Sequence, residues 1–433
     1  MLSWFIMLCF ACAIVIQYLF NKPTIMAMLT ALLLVPRVSV MGSRFDGLYF
    51  VLIVLGGAII IKDKGKVIYL PREFKNYTLL LVGLHLLYLF SWLVFNRNGV
   101  GSYALSVIGS MKLILFMWEL LQSNKNVPDV DFDKEIANFL LIVTVINTIV
   151  VGWAMLDGSN VARFLANVYY SSKEAEQLYG EYLVNGHINR FAGLFAYPMH
   201  LGLFASFALA YAIGHVFNKK YMYRVVTIAF LSLVLGFSSC SKSFILGAVI
   251  VFISYVLLSC RSSVVSIYTF ALLFAMVIGI ICLFVFYSSI YSFIYKYAGE
   301  NYAYYFSFLK NWKDIFYGRS IVLARTMEVI KKYWFLGVGV DTLLGEANMD
   351  NAYVMILHNG GVVALSGVLA FYYNLYYKLR NHIEACMLLI IMFAMGMGFQ
   401  TLFATDTSFW VLIILMWKAT FGENEFKANV NAL

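Results

Sequence analysis

Long stretches without a single formal charge decide what this chain can fold into. Leu79–Phe95, Ala137–Met155, Phe191–Phe217, Phe244–Ser259 and Val264–Tyr287 contain no Asp, Glu, Lys or Arg. A bilayer core of about 30 Å is crossed by about 20 apolar residues in a helix, and these runs approach or exceed that length. A soluble domain carries about 25% charged residues, whereas this chain has 12%, with 62% apolar. The pattern predicts an all-α polytopic membrane protein. A β-barrel would show short alternating segments, which do not occur here. The first apolar run is expected to be the first span rather than a removed signal.

Charged residues, Gly and Pro divide the chain into candidate spans at about Met1–Phe20, Thr24–Val40, Leu48–Ile61, Tyr77–Phe95, Ser102–Leu121, Glu135–Met155 and Phe191–Phe217. They continue with about Val225–Phe237, Phe244–Ser259, Val264–Tyr287, Ala352–Tyr377, Glu384–Phe403 and Ser408–Thr420, giving 12–13 transmembrane helices in a single integral membrane domain over 1–433. Thr24–Val40 is the weakest of them, because Pro36 and Arg37 interrupt it. Alternate short loops are basic: Lys22; Lys62 to Lys75; Lys125 and Lys134; Lys219 to Arg224; Arg261; Lys378 and Arg380. Positive residues mark the cytoplasmic side. Two long segments, 157–190 and 288–351, are then expected to face outward, since long loops translocate largely regardless of charge.

The net charge of +9 does not point to nucleic acid, because the basic residues are distributed over loops that fix orientation. The six cysteines lie in or beside apolar runs and match neither a zinc spacing nor a disulfide framework. No metal and no cofactor are expected. Walker A, GxSxG and HExxH patterns do not occur.

The outward segments hold the candidate chemistry. His187 and Arg190 close the first, and Arg190 stands where a guanidinium can grip a phosphate bidentately or simply anchor the chain at the interface. Pro198, inside the following apolar run, is expected to kink a helix. Ser241-Lys242-Ser243 forms a tight turn whose lysine either joins an anion site or marks the turn. The second segment holds Tyr317, Arg319 and Arg325, with an apolar pattern that predicts an amphipathic helix on the membrane surface. Six residues apart on one helix, the two arginines point in opposed directions. Tyrosines crowd both segments, suiting sugar rings or an aromatic belt equally. Asp350 opens the next span, as a proton acceptor or as a helix cap. His358 lies about 12 Å deeper by helix rise, as a functional intramembrane group or as a bond to a neighbouring helix.

Three blocks in order resemble one family, the O-antigen polymerase and ligase superfamily of bacterial polysaccharide assembly. Arg190-Phe191-Ala192-Gly193-Leu194-Phe195, with Pro198 and His200-Leu201-Gly202, is similar to its Arg-x-x-Gly-Leu-Phe block ending in Pro-x-His-x-Gly. Ser239 to Gly247 is similar to its Ser-Arg/Lys-Ser turn. Gly318-Arg319, an apolar helix and Phe335-Leu336-Gly337-Val338-Gly339 resemble its arginine loop closing on Gly-x-Gly. The resemblance covers roughly residues 185–375. It implies a GT-C-like, metal-independent glycosyltransferase of the bacterial inner membrane, with its active site facing the periplasm. The implied substrate is an undecaprenyl-diphosphate-linked oligosaccharide amid membrane lipids, and the implied partners are a chain-length regulator and a flippase. Arg190 and Arg319 carry over as pyrophosphate-binding candidates. Ligases of the family place His before Asn where this chain has Asp350-Asn351, which favours the polymerase branch and makes Asp350 its candidate base.

Overall fold

The computed structural model describes residues 2–40, 43–65, 70–95, 100–127, 130–169, 183–184, 187–188, 190–195, 197–215, 221–261, 286–298, 319–340, 351–397 and 406–422. Among the described residues there are fifteen helices and two small antiparallel hairpins. The helices are α1 (Leu2–Leu19), α2 (Ile25–Leu34), α3 (Leu48–Asp63), α4 (Arg72–Phe95), α5 (Val100–Asn124), α6 (Phe132–Leu156) and α7 (Gly158–Val168). They continue with α8 (Pro198–Gly214), α9 (Met222–Ser238), α10 (Lys242–Arg261), α11 (Tyr287–Ala298), α12 (Arg319–Lys332), α13 (Ala352–Leu379), α14 (Ile383–Met395) and α15 (Asp406–Phe421). Strands β1 (Arg37–Val40) and β2 (Ser43–Asp46) pair with Val38 opposite Phe45, and β3 (Leu183–Val184) pairs with β4 (His187–Ile188).

Four helices, α1, α4, α6 and α13, are long and apolar enough to cross a membrane, and seven shorter apolar helices accompany them among the described residues. Their outer faces are apolar too: Phe5, Ile61, Phe90 and Leu156 are exposed. A water-facing helix would carry polar residues there. This is an all-α chain built for lipid.

Three expected spans need correction. Thr24–Val40 is helical only to Leu34; from Arg37 the chain pairs as β1 with β2. Pro36 forbids continuation, because it lacks an N–H and restrains Val35 to extended backbone, and Val35 is extended (ψ 124°). Phe191–Phe217 is not one kinked helix. The helix begins at Pro198, which occupies its first position, where a missing N–H costs nothing. The span begun at Glu384 stops at Met395, and 398–405 lie outside the described residues, as does nearly all of Val264–Tyr287.

The chain divides into two compact units. The first comprises Met1–Phe139, Ile321–Asn381 and Gly396–Leu433, and the second Leu140–Ser320 and His382–Met395. In the first, α15 is apolar all round and accordingly central: Phe409 to Met416 are wholly buried. Phe132 stacks on Trp417 at 4.5 Å, and Phe409 meets both Tyr77 (6.3 Å) and Phe116 (5.9 Å). Buried Glu73 on α4 binds Lys378 and Asn374 of α13. Thr24 and Asn124 exchange two hydrogen bonds, at 3.0 and 2.8 Å, and so join the start of α2 to the end of α5. In the second unit the central helix is α8, buried from Leu201 to Ala212 and packed on α9, α10 and α14.

Candidate active site

The second unit brings the first two of the three sequence blocks together. Beyond β4, residues 190–195 are non-helical, Tyr197 is extended, and Pro198 opens α8. Asn147, buried on α6, shapes this segment. Its side-chain oxygen accepts the Leu194 N–H at 2.8 Å, while its own amide donates to the Val143 carbonyl at 2.8 Å. Gly193 sits in the left-handed region (φ +58°), and a Cβ there would stand 2.2 Å from Asn147 Oδ1. Only glycine fits both demands. Phe191 N–H then donates to the Ser238 carbonyl at 3.3 Å, which ties the segment to the turn between α9 and α10.

That turn is Ser239-Cys240-Ser241, with Lys242 as the first residue of α10. Cys240 takes the left-handed conformation (φ 45°). The Ser239 hydroxyl donates to the Gly236 carbonyl at 2.7 Å, and the hydroxyls of Ser241 and Ser243 bond each other. A Cβ on Gly202 of α8 would lie 2.8 Å from that of Ser241, so α8 touches the turn through its glycine. Arg190 is half-buried, with its Nε out of reach of water. Burial pushes the Cys240 thiol up to about 12, against the opposing pull of the Arg190 charge. Cys240 is therefore a protonated packing group at neutral pH rather than a nucleophile. Arg190 and the half-buried Lys242 thus flank one hydroxyl-lined turn, two cations beside Ser239, Ser241 and Ser243. Such a set can hold an anion through charge and hydroxyl donors. A narrow apolar crevice lined by Val150, Ala154, Val161, Leu165, Ile188 and Phe191 adjoins it.

The first unit holds the Gly-x-Gly block and His358. α13 is broken at Gly361 (φ 62°, ψ −161°). A break leaves backbone donors and acceptors unpaired, and residues 334–339 pair them. Val338 and Gly339 donate to the carbonyls of His358 (2.8 Å) and Asn359 (2.9 Å) before the break. Val362 and Val363 beyond it donate to Trp334 (2.9 Å) and Phe335 (3.3 Å). The loop also reaches α4, where the Ser91 hydroxyl donates to the Leu336 carbonyl at 2.7 Å. A Cβ on Gly361 would meet the Phe335 carbonyl at 2.2 Å. His358 is buried, and its Nδ1 donates to Asn359 Oδ1 at 2.9 Å. Its main-chain role, receiving the Gly-x-Gly loop, is the one the geometry displays.

The remaining predicted residues fall as follows. His187 pairs by backbone in β4, and Arg319 and Arg325 lie on one continuous helix, α12, as expected. The side chains of these three, and all of Tyr317 and Asp350, lie outside the described residues. The cap role considered for Asp350 falls to its neighbour. α13 begins at Ala352, and Asn351 caps it by accepting the Val354 N–H at 3.1 Å. Sequence reading overlooked Asn147 and Ser91. Each is one of a few polar residues in an apolar run, and that was the available signal. No protein-family model matches this chain, and no curated protein matches it in sequence.

Proposed function

We propose that the chain is a membrane polysaccharide polymerase of the O-antigen type, GT-C-like in architecture. It joins lipid-diphosphate-linked oligosaccharide repeat units on the outer face of the bacterial cytoplasmic membrane. The observation that carries the reading is the meeting of Arg190 with the Ser239–Lys242 turn. Two sequence blocks separated by dozens of residues, each family-like, converge on one cationic, hydroxyl-lined spot.

In this reaction the hydroxyl oxygen of one sugar attacks the anomeric carbon of another unit. The bond from that carbon to the diphosphate oxygen breaks, and the lipid diphosphate leaves with the bonding pair. Arg190, with Lys242 beside it and Arg319 from the second outward segment, stabilises charge that grows on the leaving group. Tyr317, His187 and Arg325 serve the glycan and its diphosphate, and Asp350 takes the hydroxyl proton. The lipid diphosphate itself supplies the driving force, so no nucleotide is consumed.

An O-antigen ligase is the second reading, disfavoured by Asp350-Asn351 standing where ligases carry His-Asn. A lipid-oligosaccharide flippase would line its path with intramembrane charge, whereas Lys112 and Glu119 are nearly alone within a span, and Lys112 is paired to Asp46 at 2.7 Å. Deleting the gene separates the three. A polymerase deletion leaves lipid A-core bearing one repeat unit, and the other two leave it bare. Arg190→Ala should abolish polymer at normal protein level, with Arg190→Lys recovering part, because an ammonium lacks the bidentate fork. Near-normal polymer from Arg190→Ala would overturn the diphosphate role.

A further inference from the structure

Among the described residues of the first unit, one buried carboxyl has no counterpart. Glu119 lies two turns beyond Lys112 on α5 and is wholly buried, and neither of its oxygens has a hydrogen-bond partner. Its Oε1 stands 2.8 Å from where a Cβ on Gly56 of α3 would be. The carboxyl therefore occupies the gap that a glycine leaves in the α3–α5 seam.

Among the described residues, no ionisable group on the surrounding helices pairs with it. α5 packs on α3, α4 and α2, and its Phe116 meets Phe409 of α15, whose Lys418 binds Asp133 at 3.2 Å. On α3, Asp63 binds Lys125 (2.8 Å) and Gln122 (3.0 Å). Lys62 donates to carbonyls at the end of α1, and the Tyr49 hydroxyl donates to Ile108. On α4, Arg72 and Lys75 lie in the first turn, Glu73 binds Lys378, and His85 meets Ser110 at 2.6 Å. Tyr77 and Tyr88 are buried, with hydroxyls that bond nothing. α2 carries no titratable side chain. On α5 itself Lys112 is paired with Asp46.

We propose that Glu119 is a proton-binding site, a carboxylic acid that holds the α3–α5 seam closed while its proton is bound. An ionised carboxylate without a partner is far costlier to bury than the neutral acid. A metal cation needs several oxygen ligands, and no group of three metal-ligating His, Cys, Asp or Glu occurs among the described residues. A proton needs one oxygen. The route in is the polar end of the same seam: Lys125, Asp63 and Gln122 lead to within one helical turn of Glu119. Loss of the proton places an unpaired charge against Gly56, and the seam must open to admit water.

The test is dicyclohexylcarbodiimide labelling of the full chain in detergent, with peptide mapping by mass spectrometry. The protonated acid adds its oxygen to the carbodiimide carbon and its hydrogen to a nitrogen; acyl migration then leaves a stable N-acylurea. The expected result is an adduct at Glu119, with none at ion-paired Asp63. Its yield should fall about tenfold per pH unit once the proton is lost. Glu119→Gln keeps shape and neutrality, so it should fold, lack the adduct, and lose the alkaline fall in thermal unfolding temperature expected of the natural chain. Three outcomes would overturn the proposal: no adduct at Glu119 in folded protein at any pH, a yield that ignores pH, or protection by sodium or potassium chloride but not choline chloride, which would make it a metal-cation site.

Discussion

Asn147 does two jobs with one amide: it closes its own helix with Val143 and holds the Leu194 N–H of the segment beside Arg190. Replacing it by alanine strands a buried donor, at a cost of about 1–3 kcal/mol. Gly193→Ala should cost more than Asn147→Ala, because it adds backbone strain to a collision with Asn147 Oδ1. Thermal unfolding of the two variants in detergent gives the order, and equal losses would show that the segment is not held by this amide. Asp350 offers a second residue-scale test. Because Asn351 already caps α13, Asp350→Asn removes a carboxylate without removing the cap. The expected outcome is loss of polymer with unchanged unfolding temperature. Full activity with purified lipid-linked repeat units would send the base role elsewhere.

Among the elements, α13 departs most from its sequence. A run from Ala352 onward looks like one span, and nothing local distinguishes Gly360-Gly361 from ordinary small residues. The break becomes legible only with the partner loop, whose Gly337 and Gly339 adopt positive φ to lay their backbone along it. Gly361→Ala should destabilise the first unit by about 3 kcal/mol or more, since it combines a disfavoured φ with a 2.2 Å approach to the Phe335 carbonyl. Faster proteolysis of the 334–339 loop would register it, and unchanged protection would contradict it. Pro198 shows the same limit. Its ring suits a kink and a first turn alike, and the choice depends on Asn147, dozens of residues away. By contrast α1, α4 and α6 were legible because charge-free length alone specifies them. At the end of α3, burial pushes the Asp63 carboxyl up, but hydrogen bonds from Lys125 and Gln122 and the Lys125 charge outweigh it and hold it below the usual range. Its stabilisation is therefore present above the ordinary aspartate value of about 3.9 and is lost as pH falls through the lower folded value. Asp63→Asn should flatten the acid limb of the unfolding-temperature profile.

At the scale of the molecule, the alternation of basic short loops makes orientation testable. Reporter fusions at Lys64 and Lys219 should read as cytoplasmic and one at Lys310 as external. A cytoplasmic Lys310 would invert the active face. The second unit adds a consequence of its own. α8 and α9 have 17 residues each and α14 has 13. At about 1.5 Å per residue, α9, whose Val226, Phe230 and Phe237 are exposed, is about 25 Å long, some 5 Å short of a hydrocarbon core of about 30 Å. Lipid answers such a mismatch by thinning. In the proposed reaction, thinning beside these short helices would bring a lipid-linked diphosphate closer to Arg190.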